Sequence, residues 1–416
     1  MPTRRTVTTK QGGILALLFT VLILICGAFL TLARGEVVEL LLSPTPSPAD
    51  TLPPPGITET PFLPDVVATD TPVILGPSAT PSEAGWWEVY FTDPVNLRDP
   101  NVIAGSVEEK LIRFIDSAQS SIHIASYEFD LTNVAQALIA AKNRGVDVRW
   151  VTDDEHGLGS DADPGHGQFA LLQAAGIEVR DDLGRSAFMH NKFWIFDRQV
   201  VWTGSTNITR NGVYDQNNNV IVIRSPELAE VYEREFDEMW EGQFGARSPS
   251  TLADQSLVVE GTQVQVIFTS EDSALENVII PLVQGAESSV YFMAFSFTDC
   301  PLADAMIQRR LRDLDVAGVF EAFGSTSESA EMRTLFCGDV PVRQDGNGGF
   351  LHHKVIIVDE RYVITGSLNF STRAETTNDE NVIILDNPEI ARLYVEEFER
   401  VWALGKDPDP VAMACQ

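Results

Sequence analysis

Two copies of one polar signature lie 162 residues apart in this chain: His190, Lys192, Asp197, Gly204, Ser205 and Asn207, then His352, Lys354, Asp359, Gly366, Ser367 and Asn369. The spacing inside the copies is identical. A duplication constrains the fold more tightly than composition does, because one structural unit has to be built twice and each copy must bury its apolar face. Flanking segments repeat too. Val89-Tyr90-Phe91-Thr92 matches Val266-Ile267-Phe268-Thr269, and Ser121-Ile122-His123-Ile124-Ala125-Ser126-Tyr127 matches Ser289-Val290-Tyr291-Phe292-Met293-Ala294-Phe295. Both pairs read as strands. After the longer strand of the first copy, Val134, Leu138 and Ala141 share one face of a helix predicted from about Leu131 to Arg144, with Gly145 as its stop.

The closing segments match most closely. Ser225-Pro226-Glu227-Leu228 and Asn387-Pro388-Glu389-Ile390 each supply an N-cap, a first-turn proline and an acid suited to the helix dipole. Tyr232, Phe236 and Trp240 then fall on Tyr394, Phe398 and Trp402, spaced i, i+4, i+8 as core anchors. Strands alternating with helices predict an α/β class: two tandem α/β/α repeats, each a mixed sheet covered on both faces, related by a pseudo-twofold axis. The expected boundaries are 86–243 for the first repeat, 244–261 for a linker, 262–404 for the second repeat and 405–416 for a tail. Such packing would bring the two signatures face to face in one site.

On a strand, His190 and Lys192 project to the same side, as do His352 and Lys354. Both pairs can then reach one phosphate. A neutral imidazole can attack phosphorus while a protonated one gives its proton to the departing alcohol, and the roles reverse for water. Lys192, Lys354, Ser205, Ser367, Asn207 and Asn369 are expected to stabilise charge on the nonbridging oxygens, a task that needs no metal. Gly204, matched by Gly366, fits a close backbone approach to an anion. A lone His-x-Lys would be chance in most proteins. Twelve fixed positions are not.

These residues make the chain resemble the phospholipase D superfamily, whose mark is HxKxxxxD followed by GSxN. The resemblance runs from about Tyr90 to Trp402. It implies a pair of α/β/α repeats sharing one site, a covalent phosphohistidine and no cofactor. It places the attacking role on His190 and the acid and base role on His352, with Asp197 and Asp359 structural. The family often adds a downstream acid that orients the histidine. Glu380, 28 residues after His352, fits that part, and the position after His190 is Asn218. An amide raises imidazole basicity less than a carboxylate does, so His352 with Glu380 stays open as the nucleophile.

The implied activity is that of a phosphodiesterase, first a phospholipase D on glycerophospholipid head groups. A nuclease of the same fold, a cardiolipin synthase-like transferase and a non-catalytic lipid- or phosphate-binding module are the alternatives. The formal charge is −31, and residues 1–34 contribute only basic groups, so the remainder is more acidic still. A surface of that sign repels long polyanions and disfavours nucleic acid. No obligate protein partner is implied.

Gly12 to Ala33 is a 22-residue stretch without a charged side chain, long enough to cross a bilayer. Arg4, Arg5 and Lys10 precede it, which predicts 1–11 in the cytoplasm, a signal-anchor at 12–33 and the rest outside; a cleaved signal peptide is the alternative. The Pro/Thr/Ser-rich stretch within 34–85 reads as an extended spacer. Cys300 and Cys337 are expected either to pair or to stay as buried thiols. His123 and His353 read as packed structural residues. The loop Asp153-Asp154-Glu155-His156 to His166 follows no metal-ligand pattern, so no metal is expected there, and it is placed at the rim of the cleft.

Overall fold

The computed structural model describes residues 85–248, 255–411 and 413–415. The expected cytoplasmic segment, membrane span and nearly all of the spacer lie outside the described residues. Among the described residues no helix is long and apolar enough to cross a membrane.

The first repeat contributes β1 (Trp87–Phe91), β2 (Ser121–Ser126), β3 (Asp147–Thr152), β4 (Glu178–Asp181), β5 (Lys192–Phe196), β6 (Val200–Gly204) and β7 (Asn219–Arg224). The second contributes β8 (Ser256–Val259), β9 (Thr262–Thr269), β10 (Ser289–Ala294), β11 (Asp315–Phe320), β12 (Val342–Gln344), β13 (Lys354–Val358), β14 (Tyr362–Gly366) and β15 (Glu380–Asp386). The first sheet runs β1-β7-β6-β5-β2-β3-β4, and the second β12-β11-β10-β13-β14-β15-β9-β8. Apart from β8, the second order is the first order read in reverse, strand for strand. β8 pairs with β9 and lies inside the stretch 244–261 that the sequence reads as a linker.

Alternation along the strands explains the layering. Ala125, Val151, Phe193, Ile195, Ile221 and Ile223 face a central core that also takes Val266, Phe268, Val355, Ile357 and Ile383 from the second sheet. Ile122, Ile124, Trp150, Trp194 and Trp202 face the other way, under Leu111, Val134, Leu138 and Leu172 of the outer helices. The predicted helix is Thr132–Asn143, with Gly145 beyond it at φ +96°. The closing helices are Pro226–Trp240, capped by Ser225, and Pro388–Leu404, capped by Asn387. Tyr232, Phe236 and Tyr394 are fully buried, and Tyr232 and Phe193 both meet Phe268 of the other repeat.

Cys337 pairs with Cys415, Cα atoms 5.6 Å apart, and Cys300 is a free, exposed cysteine. This corrects both expectations for Cys300 and Cys337: the bridge ties the tail to helix Met332–Cys337, and Lys406 bridges Gln344 as well. The helix and the tail meet only through the fold, so their separation in sequence gave no sign of it.

Asp197 and Asp359 hold the corners. Each opens a two-residue hairpin turn in which both central residues have positive φ, Asp197-Arg198 and Asp359-Glu360, closed by Gln199 N–H to Phe196 and Arg361 N–H to Val358. Asp197 accepts from the backbone N–H groups of Gln119, Ser120 and Ser121, and Asp359 from those of Glu287, Ser288 and Ser289. The hairpin is thereby clamped to the start of β2 or β10. Partial burial raises the Asp197 carboxyl, but the bonds from Ser120, Gln119 and Ser121 outweigh it and the net shift is downward. A depressed pKa stabilises the fold above the unfolded value and loses that contribution as pH falls through the folded one. Asp197→Ala should cost about 3 kcal/mol at pH 7 in denaturant unfolding, from the lost charge-assisted bonds. The gap to wild type should close in acid, below the ordinary 3.8.

Candidate active site

The segment before each signature histidine crosses to the other repeat. His190 N–H donates to Asp379 O at 2.9 Å, and His352 N–H donates to Asn217 O at 2.9 Å. Met189 bridges Asp379 in parallel, and Leu351 bridges Asn217. The strand ends are fastened reciprocally: Thr203 Oγ1 donates to Asn381 Oδ1 at 2.7 Å, and Thr365 Oγ1 to Asn219 Oδ1 at 2.8 Å. Two equivalent sets of bonds, one in each direction, bring the signatures into one site.

The orienting groups cross over as well. His190 Nδ1 lies 2.6 Å from Glu380 Oε2, and His352 Nδ1 lies 2.9 Å from Asn218 Oδ1 and 3.1 Å from Ser205 O. Sequence distance assigned Glu380 to His352; the structure assigns it to His190, because β15 and β7 each end against the opposite repeat. A carbonyl or ionised carboxylate oxygen can only accept, so with Glu380 ionised Nδ1 carries the proton in both rings and the lone pair is left on Nε2. Asn218 keeps its orientation through Nδ2 donating to Gly212 O at 2.8 Å.

Two expected phosphate ligands turn out to serve other groups. Ser205 Oγ donates to Asn218 Oδ1 at 2.8 Å, and Ser367 accepts Asn381 N–H at 2.9 Å while facing Glu380. These hydroxyls position the orienting residues. Gly204 and Gly366 are also reassigned: a Cβ at Gly204 would lie 2.3 Å from Asn219 O, and one at Gly366 2.1 Å from Asn381 O. A neighbouring strand, not an anion, demands the glycine. Asn207 and Asn369 each keep a buried Oδ1 without a hydrogen-bond partner.

Both lysines are buried and tethered, Lys192 Nζ to His190 O at 2.9 Å and Lys354 Nζ to His352 O at 2.8 Å. Tyr127 and Phe295 stand at matching places, their rings 4.7 Å from His190 and 4.8 Å from His352. Lys192 and Lys354 sit over the same two rings. The sequence comparison paired Tyr127 with Phe295 only as strand ends; their repetition one step beyond the strand was the available signal for a site role.

Burial, then the charges of Lys192 and Lys354, hold the His190 imidazole well below its ordinary value, and His352 is lowered by burial and the same two charges. Burial brings Lys192 down to about 8, with Glu380 and Glu128 opposing, and burial and the repulsion of Lys192 hold Lys354 well below its ordinary value. Burial raises Glu380 to about 7 against the pull of Lys192. The histidines of the site are thus neutral, and its two lysines are opposed by Glu380, with Glu128 and Asp153 also acting on Lys192. The pair of buried lysines suits an anion flanked by two imidazoles.

His123 and His353 are held by structural partners, and Asp153 and Asp161 of the 153–166 loop bond to nearby backbone, Asp153 lying with Asp154 and Asp182 in one carboxylate group. His123 Nδ1 lies 2.7 Å from Glu233 and its ring stacks on Phe236, while His353 joins Glu397 at 3.0 Å and Asn219 at 3.0 Å. Asp153 caps a turn by accepting Glu155 and His156 N–H, and Asp161 accepts the N–H groups of Gly167, Phe169 and Ala170. Within that loop the His156 ring packs 5.2 Å from both Tyr127 and Phe188.

The family described as "Cardiolipin synthase, PLD-like domain" matches residues 111–240 and 279–402. Mitochondrial cardiolipin hydrolase from Homo sapiens is 36% identical over 131 residues, 32% of this chain and 52% of that protein. Phospholipase D from Rickettsia felis is 32% identical over 116 residues, 28% of this chain and 58% of that protein. The aligned stretch is therefore less than two thirds of these relatives' own length. The crystal structure of phosphatidylserine synthase from Haemophilus influenzae Rd KW20 superposes with a TM-score of 0.56 at 16% identity, covering 77% of this chain and 87% of that one, a likeness of fold.

Binding of sulfate, whose charge is constant above neutrality, tests the electrostatics. As pH rises through about 8, Lys192 gives up its proton and the anion loses a cationic contact. Titration calorimetry should show affinity dropping about tenfold from pH 7 to pH 9, and Lys192→Ala should bind weakly with a flatter pH dependence.

Proposed function

The chain belongs to the phospholipase D superfamily, and from that premise we propose that it is a phosphodiesterase that hydrolyses glycerophospholipid to phosphatidic acid and free head group through a phosphohistidine. The observation that carries this reading is the cross-repeat pair His190–Glu380 beside two buried lysines. Glu380 holds the His190 proton on Nδ1, so the Nε2 lone pair attacks phosphorus. The P–O bond to the head-group alcohol breaks, and His352, protonated once the anionic substrate has entered, gives that oxygen its Nε2 proton. Lys192 and Lys354 balance charge on the nonbridging oxygens. Water then attacks phosphorus, yields its proton to His352, and the P–N bond returns its electron pair to His190.

Transfer to an alcohol, as in the name of the matching family, uses the same residues and differs only in the second acceptor. The expected signal-anchor would hold the catalytic part outside the cytoplasm near a membrane, which agrees with a lipid substrate.

Head-group release by a fragment starting at Trp86 checks the reading, with glycerol added to measure transfer. His190→Ala should lower kcat by roughly four orders of magnitude and abolish a radiolabelled phosphoryl adduct that wild type forms on His190. Protonating Glu380 removes the acceptor that keeps the His190 proton on Nδ1 and the lone pair on Nε2, so kcat/KM should fall as pH drops through about 7. It should fall again above about 8 as Lys192 loses its proton, giving a bell whose limbs belong to coupled groups. Glu380→Gln should cost about a hundredfold in kcat and displace the acid limb. An adduct on His352, or activity undiminished in His190→Ala, would reverse the assignment.

A further inference from the structure

The two halves of the site differ at one matched position. Glu128 follows β2 where Ser296 follows β10, and the places are equivalent because Phe129 bridges Ile208 just as Phe297 bridges Phe370. Glu128 Oε2 accepts a hydrogen bond from Asn207 Nδ2 at 2.9 Å. One of the amides expected to hold a phosphate oxygen is therefore held by a carboxylate. Lys192 acts electrostatically on Glu128 and Glu128 on Lys192, and Asp130, His156 and His166 lie within range of the same carboxylate. The second repeat offers a neutral hydroxyl there.

A carboxylate bonded to a phosphate-binding amide works against any additional negative charge and in favour of a nearby positive one. We propose that Glu128 selects the substrate by charge, favouring diesters whose alcohol carries an ammonium group and rejecting polyanionic strands. The inference rests on the phosphodiesterase reading above and names its substrate class. In an ethanolamine head group the nitrogen is two carbons from the ester oxygen, close enough to the phosphorus for Glu128 to attract it. A polynucleotide would instead bring flanking phosphates toward Glu128, adding local repulsion to that of the whole acidic chain.

Glu128→Gln separates charge from position, because the glutamine Oε1 can still accept the Asn207 N–H. Two measurements on wild type and variant decide the matter: kcat/KM on phosphatidylethanolamine and phosphatidylglycerol in mixed micelles, and the Kd of a single-stranded oligonucleotide by fluorescence anisotropy at fixed salt. Equal melting temperatures establish that the variant is folded. The ethanolamine-to-glycerol ratio should fall about tenfold in the variant, and the oligonucleotide should bind about tenfold more tightly, as expected for one partly screened charge. Equal losses on both lipids with an unmoved oligonucleotide Kd would mean that Glu128 only positions Asn207, and would overturn the proposal. If wild type cleaves neither lipid, the hydrolase reading falls, and the oligonucleotide Kd alone still decides whether Glu128 repels polyanions.

Discussion

The bond from His190 Nδ1 to Glu380 Oε2 joins two repeats that are otherwise complete sheets with their own outer cores. Each repeat carries a histidine whose orienting partner belongs to the other, so neither half could fix the tautomer of its own imidazole. The crossing is imposed by backbone pairing, since His190 and Asp379, and His352 and Asn217, are bonded main chain to main chain. Around it the central core fuses the inner faces of both sheets with both closing helices. In the proposed mechanism duplication is thus a requirement of the chemistry as well as a source of symmetry.

Burying two lysines at one place is costly, because like charges repel there with little screening. The structure meets the cost with Glu380, fully buried, and with hydrogen bonds from each ammonium to a carbonyl of its own signature. A strongly acidic chain thus gathers two lysines at one buried place, where they can meet an incoming anion.

Much of this was legible in the sequence. The period-two placement of His190 and Lys192, the capped closing helices and the paired aromatics depend on local spacing, and they lie where that spacing put them, with β5 starting at Lys192 and His190 just before it. Assignments that depended on which strand lies beside which were not legible. Glu380 is near His352 in sequence and beside His190 in space; Gly204 faces Asn219 O, a contact that its own turn does not reveal. Ser205 is two residues from Asn207 but turns its hydroxyl to Asn218. Cys415, in the tail, is 78 residues from Cys337 and meets it only through the fold.

Three departures from symmetry fall close to the candidate site. Asn218 stands opposite Glu380, Asn191 opposite His353, and Glu128 opposite Ser296. Asn191 Oδ1 accepts from Asn381 Nδ2 at 3.0 Å, whereas His353 bridges Asn219 and Glu397. Glu235, matched in sequence to Glu397, lacks an imidazole at the Asn191 position; burial and Glu271 push its carboxyl well up. The exchange of Glu380 for Asn218 has the greatest chemical effect. In the proposed mechanism a carboxylate behind His190 stabilises positive charge on that ring as its Nε2 bonds to phosphorus, whereas an amide behind His352 fixes the tautomer without that stabilisation and leaves its proton easier to release. Two imidazoles that a perfect repeat would make equivalent thereby differ in the partner behind them, which is what the proposed division of labour, one to hold the phosphoryl group and the other to pass protons, draws on.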